Sequence, residues 1–439
     1  MDLVESIKQF ICAHGPDKKY LLAYSGGLDS YVLLHVFATI RSMHSFQLRA
    51  IHVNHGVSSH AVEWAEHCAQ VCRELNIELI QQSFSFSSFS EAQLRESRYQ
   101  LFSNFVEKNT ILLTAHHQND QAETLLLQLC RGAGPQGLAA MPHIKFFGEG
   151  FHARPLLDFT RDDLHRYAID HQLRWVEDES NTNSKLTRNF LRHEVMPLLT
   201  QRWPTVTNTF ARVAKHCAEA QEFIDVTVQR LLNHTQGRIS GTLSVKKLLE
   251  LNETEQRYVL RAWIYREKYI LPSTVKLQQM TKTLLCARED KMPYVNWGTV
   301  EMRRYRDDLF LMPQLMPHDA DQVIQWSISQ PLTLPNIGVL QTLSVEGQGL
   351  RADIENVTVQ FRRGGEMLQL PGRKHRHELK KVFQQWGVLP WLRDRVPLIY
   401  VEGVLAAVVG QWIADEFMGS QDARIIQLQA NPDFARVTD

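Results

Sequence analysis

The sequence predicts an α/β fold: an N-terminal domain built on a parallel β-sheet, then a mainly α-helical central domain and a small α+β C-terminal domain. Three observations lead to this prediction. The chain has 439 residues, enough for two to four domains at about 100–200 residues each. Short apolar runs alternate with helix-like segments as far as Cys130, which is typical of βαβ units. Beyond Val206 the apolar residues recur at helical spacing, and a basic block follows closer to the C-terminus.

The N-terminal domain is predicted to contain four strands, each followed by a helix. The strands are Tyr20–Tyr24, Leu48–Val53, Ile77–Ile80 and Thr110–Ala115, and the helices cover Tyr31–Phe37, Ala61–Leu75, Glu91–Val106 and Asp120–Cys130. Parallel sheets bind ligands beyond the carboxyl ends of their strands, where the strand order switches. The turns after the first and fourth strands are therefore the candidate functional site.

The change in sequence character along the chain predicts the domain boundaries. We expect an N-terminal domain at 1–210, a central domain at 211–316, a linker that leads into strands at 317–356, and a C-terminal domain at 357–439. A long helix from Val206 to Leu232 connects the first two, and several prolines mark the linker.

Charge is balanced over the whole chain but not within its segments. Forty-eight Lys+Arg oppose 48 Asp+Glu, which excludes a chain coated in basic charge for unspecific nucleic-acid binding. Residues 312–356 contain one arginine and five acidic residues, whereas residues 360–395 contain nine basic and three acidic residues. Contact with a nucleic acid is therefore expected in the basic segment.

The cysteines and the apolar segments indicate the compartment. Six cysteines occur without a Cys-x-x-Cys pair, so no disulfide framework is expected. We expect Cys68 and Cys72 to be buried thiols on one helix, with half of a metal site as the alternative. The longest apolar stretch, Val404–Ala414, is shorter than the roughly 20 residues that span a bilayer, and Met1–Glu5 lacks the order of a signal peptide. We expect a cytoplasmic protein without a membrane partner.

The turn after the first strand is predicted to hold phosphate. Glycines at 26 and 27 allow close approach to a ligand, and the following helix offers free N–H groups and its positive dipole end. Ser25 and Ser30 can donate to phosphate oxygens, and Asp29 is a candidate Mg²⁺ ligand. The loop lacks the lysine of a Walker motif. The alternative is an ordinary turn in which Asp29 or Ser30 caps the helix.

The turn after the fourth strand carries a second polar group of residues. His116, Asp120 and Glu123 are spaced four and three apart, so they converge if the segment is helical. The alternative is a capping box formed by Asp120 and Glu123. On the preceding helix Arg95 and Arg98 lie three apart on one face, where a solvated basic surface is the alternative reading.

Several motifs resemble one family. Ser25-Gly26-Gly27-Leu28-Asp29-Ser30 resembles the signature of the PP-loop (N-type) ATP pyrophosphatases. Five further segments narrow the resemblance to the tRNA(Ile)-lysidine synthetases: His52-Val53-Asn54-His55-Gly56, Ala115-His116-His117-Gln118-Asn119-Asp120-Gln121-Ala122-Glu123-Thr124, Arg131-Gly132-Ala133-Gly134-Pro135-Gln136-Gly137-Leu138, Arg154-Pro155-Leu156-Leu157, and Ser180-Asn181 followed by Arg188-Asn189-Phe190-Leu191-Arg192. The resemblance covers nearly the whole chain. One position departs from it, because Asn119 stands where the family usually has the first Asp of an Asp-Asp pair.

The resemblance implies a fold, a reaction and its participants. The fold is that of an adenine nucleotide alpha hydrolase-like PP-loop domain, and the cofactors are ATP and Mg²⁺. The reaction joins the ε-amine of L-lysine to C2 of the wobble cytidine of tRNA(Ile) with a CAU anticodon. It passes through an adenylated cytidine, releases AMP and pyrophosphate, and changes the decoding identity from Met to Ile. No obligatory protein partner is implied, and a homodimer is left open.

The residues expected to perform this reaction fall into three groups. Those implied to be catalytic are Asp29, Arg95, His116, Asp120 and Glu123, with Glu123 or His116 taking the proton that the lysine amine must lose. Those implied to bind ATP are Ser25, Gly26, Gly27, Leu28, Asp29, Ser30 and His52, with Asp29 also binding Mg²⁺. Candidate tRNA or substrate contacts are Arg131, Arg188, Asn189, Arg192, Arg303, Arg304, Arg362, Arg363, Lys380, Lys381, Arg393 and Arg395. A solvated charged face is the alternative for Arg188, Arg192 and the basic block at 360–395, and a basic strand edge is the alternative for Arg303 and Arg304.

Two other functions agree less well with the sequence. A tRNA thiolase of the same superfamily generally needs catalytic or cluster-binding cysteines, commonly a Cys-x-x-Cys pair, which this sequence lacks. A tRNA-binding protein without catalytic activity would be expected to lose Asp29 or the pair His116 and Glu123, and all three are present. The ligase is therefore the function that the sequence favours.

Overall fold

The computed structural model describes residues 2–14, 18–44, 46–54, 60–83, 91–177, 186–288, 291–346, 349–370, 375–419 and 422–430. The motif positions at 55, 56, 180 and 181 and the basic residues Arg373 and Lys374 lie outside these ranges. The chain divides into two compact units, Met1–Asp225 and Val226–Asp439, which are described in turn. No helix within the described ranges is long and apolar enough to cross a membrane.

A six-stranded sheet forms the centre of the first unit. Its strands are β1 (Lys19–Ala23), β2 (Gln47–Asn54), β3 (Glu78–Ser83), β4 (Thr110–Leu113), β5 (Ile144–Phe147) and β6 (Gly150–Ala153), in the order β3-β2-β1-β4-β6-β5. The four predicted strands are confirmed, and all neighbours among β1, β2, β3, β4 and β6 are parallel. The antiparallel hairpin of β5 and β6 was not predicted from the sequence.

Helices cover both faces of this sheet. They are α1 (Leu3–His14), α2 (Leu28–Arg41), α3 (Ala61–Glu74), α4 (Glu91–Ser103), α5 (Gln118–Cys130), α6 (Pro135–Leu138), α7 (Arg161–Asp170), α8 (Thr187–Phe190), a π-helix at Leu191–Val195, α9 (Met196–Arg202) and α10 (Val206–His234), which continues past the boundary of the unit. Successive residues of β1 point to opposite faces, so Tyr20 and Leu22 join one buried cluster while Leu21 joins another. A strand buried on both faces is typical of a parallel sheet.

The strand order brings the two candidate turns together. β1 pairs with β2 on one side and with β4 on the other. The strand order therefore switches at β1: β2 and β3 are added on one side of it, and β4 and β6 on the other. The turns that follow β1 and β4 therefore emerge side by side at the carboxyl edge of the sheet.

The second unit begins with helices and a small sheet. Its helices are α11 (Val245–Leu249), α12 (Glu253–Arg266), α13 (Thr274–Met280) and a π-helix at Thr281–Leu285, which confirm the helical prediction for the central region. They pack with β7 (Leu243–Ser244), β8 (Tyr294–Trp297), β9 (Val300–Tyr305) and β10 (Asp308–Pro313), which form an antiparallel sheet in the order β7-β10-β9-β8. Trp263 is fully buried in the core between them.

The remainder of the second unit is α+β, as predicted. Its strands are β11 (Ile324–Ser327), β12 (Leu332–Leu334), β13 (Gly338–Glu346), β14 (Gly349–Arg351), β15 (Asn356–Gln360), β16 (Met367–Gln369), β17 (Arg376–Glu378), β18 (Leu398–Val401), β19 (Val404–Val408), β20 (Trp412–Ile413), β21 (Met418–Gly419) and β22 (Asp422–Ala430), with helix α14 (Leu379–Gln385) and a 3₁₀ turn at Asp415–Phe417. β13 pairs with β22 over nine positions, and β11 pairs with β15. The segment predicted as a linker thus supplies strands to the C-terminal sheets.

Candidate active site

The loop after β1 has a backbone that only glycine accommodates well at position 26. Gly26 has a φ of +85°, in the left-handed region. A Cβ added there would lie 2.9 Å from the Cys68 Sγ. The Gly26 carbonyl also accepts a 3.0 Å hydrogen bond from the Val176 backbone N–H. Cys68 is buried, as predicted, and packs directly beneath the loop.

Two serines fix the loop against the start of α2. The Ser30 hydroxyl donates to the Gly27 carbonyl (3.0 Å) and accepts from the Ser25 N–H (3.2 Å), while the two hydroxyls lie 3.0 Å apart. The residue that caps α2 is Gly27, without a side-chain capping bond. The alternative in which Asp29 or Ser30 caps this helix is therefore wrong. The first N–H groups of α2 have no side-chain cap and suit an anion.

His117, in the turn after β4, lies between the carboxylates of Asp29 and Asp120. The His117 Nε2 atom lies 3.6 Å from Asp29 Oδ2 and 3.5 Å from Asp120 Oδ2. Burial opposes an imidazolium here, but the two carboxylates outweigh burial and raise the pKa of His117 above its usual value. The other oxygen of Asp29, Oδ1, is buried and has no hydrogen-bond partner among the described residues. An unpartnered carboxylate oxygen beside a phosphate-type loop fits Mg²⁺, a cation that prefers oxygen ligands.

Helix α5 begins two residues before its predicted start, and this changes the reading of its carboxylates. The helix is capped at His117, whose N–H donates to Asp120 Oδ2 at 3.1 Å. Asp120 therefore does satisfy a backbone donor at the helix start. Glu123 does not, so the alternative of a capping box between Asp120 and Glu123 is wrong.

Two arginines neutralise this carboxylate pair. Arg188 Nε donates to Glu123 Oε2 and its Nη2 to Asp120 Oδ1, both at 2.9 Å. Arg192 Nε donates to Glu123 Oε1 at 2.7 Å and its Nη2 to Asp120 Oδ1 at 2.8 Å. Glu123 is only 2% exposed. Burial alone would raise the pKa of Asp120, but His117, Arg188 and Arg192 hold it well below its usual range.

His116 precedes the helix and belongs to a separate hydrogen-bond chain. Thr114 Oγ1 lies 2.8 Å from His116 Nδ1 and 2.8 Å from His152 Nε2. On the far side of His152, the Nη2 of Arg154 donates to Nδ1 at 3.2 Å. Burial, aided by the nearby arginines, lowers the pKa of His116 to about 3, and burial with Arg154 lowers that of His152 to about 2. Both imidazoles are therefore neutral near pH 7.

The donors in this chain determine its protonation pattern. Arginine can only donate, so His152 Nδ1 must accept and its proton lies on Nε2, which donates to Thr114. Thr114 can then donate its one hydroxyl proton to His116 Nδ1, and this assignment places the proton of His116 on Nε2. This arrangement satisfies every polar atom in the chain from Arg154 Nη2 to His116 Nδ1.

The other residues predicted in the first unit occupy varied surroundings. His52 is buried beside the loop, where its Nδ1 donates to the Tyr24 carbonyl at 3.0 Å and burial lowers its pKa. Arg95 is exposed, with its guanidinium carbon 5.5 Å from the centre of the Tyr99 ring. Arg131 is exposed at the end of α5, and Asn189 is buried.

In the second unit, three predicted RNA contacts need correction. Arg304, Arg393 and Arg395 are 5%, 8% and 9% exposed. Arg304 donates to the carbonyls of Leu284 and Leu285 at the end of the second π-helix, Arg393 donates to the Val388 carbonyl, and Arg395 donates to the Met316 carbonyl. Because these arginines are buried and donate to backbone carbonyls, their guanidinium groups do not lie on the surface that is accessible to RNA.

The remaining basic residues of that unit are accessible to different extents. Lys380 and Lys381 are exposed in the first turn of α14. Arg362 is bound to Asp394 at 2.9 Å and Arg363 to Asp321 at 3.4 Å. Arg303 forms an ion pair with Glu301 at 2.7 Å and lies over the rings of Tyr294 and Trp391.

Sequence reasoning missed His117, Thr114 and His152 and assigned no role to Arg154. His117 stands next to a predicted site residue and within a motif that resembles the family, and these were the signals available for it. His152 is 38 residues from Thr114 in sequence, and the unpredicted hairpin brings the two together. No spacing rule within one segment would have found that pair.

The loop after β1, placed at the strand switch of a parallel sheet, defines the first unit as a PP-loop domain, and residues 2–199 match the PP-loop domain family. Residues 243–310 match the TilS substrate binding domain, and residues 357–430 match the TilS substrate C-terminal domain. The chain belongs to the tRNA(Ile)-lysidine synthase family.

Individual relatives match over almost their whole length. The chain is 43% identical to the tRNA(Ile)-lysidine synthase of Coxiella burnetii, over 94% of this chain and 93% of that protein. The corresponding protein of Methylococcus capsulatus is 39% identical over 95% and 97%, and that of Photorhabdus laumondii 37% identical over 94% and 95%. Among solved structures, a U34-tRNA thiolase from Methanococcus maripaludis is similar at a TM-score of 0.42 and 16% identity, over 49% of this chain and 78% of that one.

Proposed function

We propose that the protein is an ATP-dependent ligase that joins the ε-amine of L-lysine to C2 of the wobble cytidine of tRNA(Ile) with a CAU anticodon. The products besides the modified tRNA are AMP and pyrophosphate, and the reaction takes place in the cytoplasm. The observation that supports this most strongly is identity of 37–43% with tRNA(Ile)-lysidine synthases over 94–95% of the chain.

The loop after β1 and the start of α2 perform the activation step. Ser25, Gly26 and Gly27 present backbone and hydroxyl donors to the phosphates of ATP, and the uncapped start of α2 adds its N–H groups. Asp29, whose Oδ1 has no hydrogen-bond partner among the described residues, is the residue that would hold Mg²⁺. When bound, the cation neutralises phosphate charge. Cytosine O2 is a poor leaving group, and its adenylation converts it into AMP, a good one.

The lysine amine must lose a proton before it attacks C2, because its reference pKa is about 10.4. His116 carries its proton on Nε2 in the hydrogen-bond chain and therefore acts as a donor to the reacting group. This leaves Glu123 as the proton acceptor. Its Oε2 accepts from both Arg188 and Arg192, whereas Oε1 accepts from Arg192 Nε and has a second lone pair that takes the proton.

RNA contacts come from exposed cations. Lys380 on α14 and Arg131 after α5 are exposed and accessible to phosphate groups, and the exposed Lys381 also pairs with Glu378 at 3.5 Å. The wobble base must leave its anticodon stack to reach a pocket, as in other enzymes that modify a base.

Transfer of labelled lysine tests this function. The purified protein, ATP and Mg²⁺ are incubated with labelled lysine and tRNA(Ile) bearing CAU, with elongator tRNA(Met) of the same anticodon as the matched substrate. We expect incorporation into the first tRNA with equal release of AMP and pyrophosphate. Incorporation no greater than without enzyme, or release of ADP, would contradict the proposal.

A further inference from the structure

Four cationic side chains surround one tyrosine and one histidine at the edge of the N-terminal sheet. The guanidinium carbons of Arg95 and Arg98 lie 5.5 and 6.0 Å from the centre of the Tyr99 ring, and that ring lies 5.5 Å from the ring of His152. Lys145 and Arg154 complete the group from the hairpin of β5 and β6. We call Arg95, Arg98, Lys145 and Arg154 the cation cluster.

The register of the hairpin places the two strand residues on the same face. Lys145 stands directly opposite His152 in the antiparallel pairing of β5 and β6. Opposite residues of an antiparallel pair project from the same face of the sheet. Arg154 follows His152 by two positions and donates to its Nδ1 at 3.2 Å. The hairpin therefore carries Lys145 and Arg154 toward the ring that Arg95 and Arg98 cover.

The charge of the cluster is not balanced by the described carboxylates. No carboxylate whose side chain the structure describes forms a salt bridge with any of the four residues. Arg154 is 3% exposed, and its Nε is buried without a hydrogen-bond partner. Burial and the neighbouring cations lower the pKa of Arg98, Lys145 and Arg154. An anion bound beside the exposed members of the cluster, Arg95 and Lys145, would relieve the repulsion.

The cluster adjoins the reacting groups. His152 shares Thr114 with His116, so a chain of three hydrogen bonds, of 3.2, 2.8 and 2.8 Å, leads from Arg154 to a residue implied to be catalytic. Arginine forks donate to two oxygens of one anion, and a lysine adds a compact charge, which together favour a phosphate group over a single carboxylate.

We propose that the cation cluster binds a phosphate group during the reaction. The group is either the phosphodiester beside the wobble cytidine or the pyrophosphate that leaves ATP. The inference rests on the proposed function and assigns binding roles to Arg98 and Lys145 in addition to Arg95. Arg154 is buried and donates to the Pro142 carbonyl and to His152, so it adds charge behind the site and no direct contact.

The test removes one charge from the cluster and the same charge from a remote site. Lys145→Gln changes an exposed side chain, so the fold is retained. Lys108→Gln is the matched control, because Lys108 is an exposed lysine just before β4, at the opposite end of that strand from Thr114. Two probes are measured with the full chain: binding of tRNA(Ile) with CAU over a range of salt concentrations, and binding of inorganic pyrophosphate by titration calorimetry.

A phosphodiester site predicts that Lys145→Gln alone lowers tRNA affinity about three- to tenfold and reduces the slope of log K against log salt by about 0.7–0.9. A pyrophosphate site predicts a similar loss for pyrophosphate and an unchanged tRNA affinity. In either case the double variant Arg95→Gln/Lys145→Gln is expected to lose more affinity for the same probe than Lys145→Gln alone. Equal behaviour of Lys145→Gln and Lys108→Gln with both probes overturns the proposal. Lysine transfer by the unmodified enzyme is run in parallel, so that failure of the cluster and failure of the proposed function are told apart.

Discussion

Arg192 Nε donates a 2.7 Å hydrogen bond to Glu123 Oε1, although the two residues are 69 positions apart in sequence. Glu123 lies on α5, and Arg192 lies in the π-helix that follows α8. With Arg188 and Asp120 they form a group of two carboxylates and two guanidinium groups. These ion pairs connect α8 and the following π-helix to α5 at the place where the proposed reaction occurs.

Breaking this ion pair is expected to destabilise the first unit. Arg192→Met removes two of the donors to the buried Glu123, and we expect the free energy of unfolding to fall by about 2–3 kcal/mol, less than for a fully buried pair because the arginine is partly exposed. Urea unfolding measures the change. In a double-mutant cycle with Glu123→Gln, the two losses should be less than additive. Additive losses would show that the pair contributes no coupling energy.

Asp29 is expected to be needed for turnover and not for tRNA affinity. Asp29→Asn removes the charge that faces the phosphate loop, and we expect lysine transfer to fall by at least about 100-fold with tRNA affinity nearly unchanged. Asp162→Asn, at an exposed acid in the first turn of α7, is the matched control. Loss of tRNA binding in step with activity would disprove this separation of roles.

Gly26 is expected to tolerate no side chain. Gly26→Ala forces an L residue to a φ of +85° and brings Cβ to 2.9 Å from Cys68 Sγ, so we expect a loss of about 2–3 kcal/mol in stability and weaker ATP binding. Gly132→Ala isolates the backbone strain, since Gly132 has a φ of +68° and no atom near its added Cβ. We expect that control to lose about 1 kcal/mol. Adding Cys68→Ala should restore part of the stability lost in Gly26→Ala; no restoration would mean that the thiol is not the obstacle.

The neutral histidines are expected to make the first unit sensitive to acid. An unfolded imidazole has a pKa of about 6.5, whereas the pKa of His116 is about 3 and that of His152 about 2. Below about pH 6.5 the unfolded state therefore binds protons that the folded state does not. The free energy of unfolding falls as the pH falls, by up to about 1.4 kcal/mol per pH unit for each group. The raised pKa of His117 acts in the opposite direction and offsets part of this loss.

Substitution of His152 tests that slope. His152→Gln keeps hydrogen-bonding groups but cannot titrate, so urea unfolding between about pH 6 and pH 4 should show a shallower pH dependence than in the unmodified protein. His44→Gln, at an exposed position, should leave the slope unchanged. Identical slopes for all three proteins would contradict the neutral assignment of His152.

A buried arginine and an exposed lysine of the second unit are expected to separate stability from RNA binding. Arg304→Met leaves the carbonyls of Leu284 and Leu285 without donors, and we expect stability to fall by about 2–4 kcal/mol. Lys380→Gln should change stability by no more than about 0.5 kcal/mol but weaken tRNA binding and reduce its salt dependence. The two measurements are thermal unfolding and tRNA binding at several salt concentrations. The opposite pattern would restore Arg304 as an RNA contact.

Local patterns in the sequence determined the strands, the phosphate loop and the position of the candidate site. Apolar runs such as Tyr20–Leu22 indicate a strand buried on both faces, and adjacent glycines followed by a helix indicate a loop for an anion. Each of these signals lies within a few residues, because backbone conformation and strand burial depend first on near neighbours. The resemblance in the motifs then supplied the reaction.

Only the tertiary structure decided the partners of the charged side chains. Composition gives the number of arginines but not their burial, and Arg304, Arg393 and Arg395 lie inside because buried carbonyl groups need donors. The pairing of Glu123 with Arg188 and Arg192 and the bridge through Thr114 from His152 to His116 join segments far apart in sequence. Such contacts depend on strand order and on an unpredicted hairpin, so no periodicity along the chain encodes them.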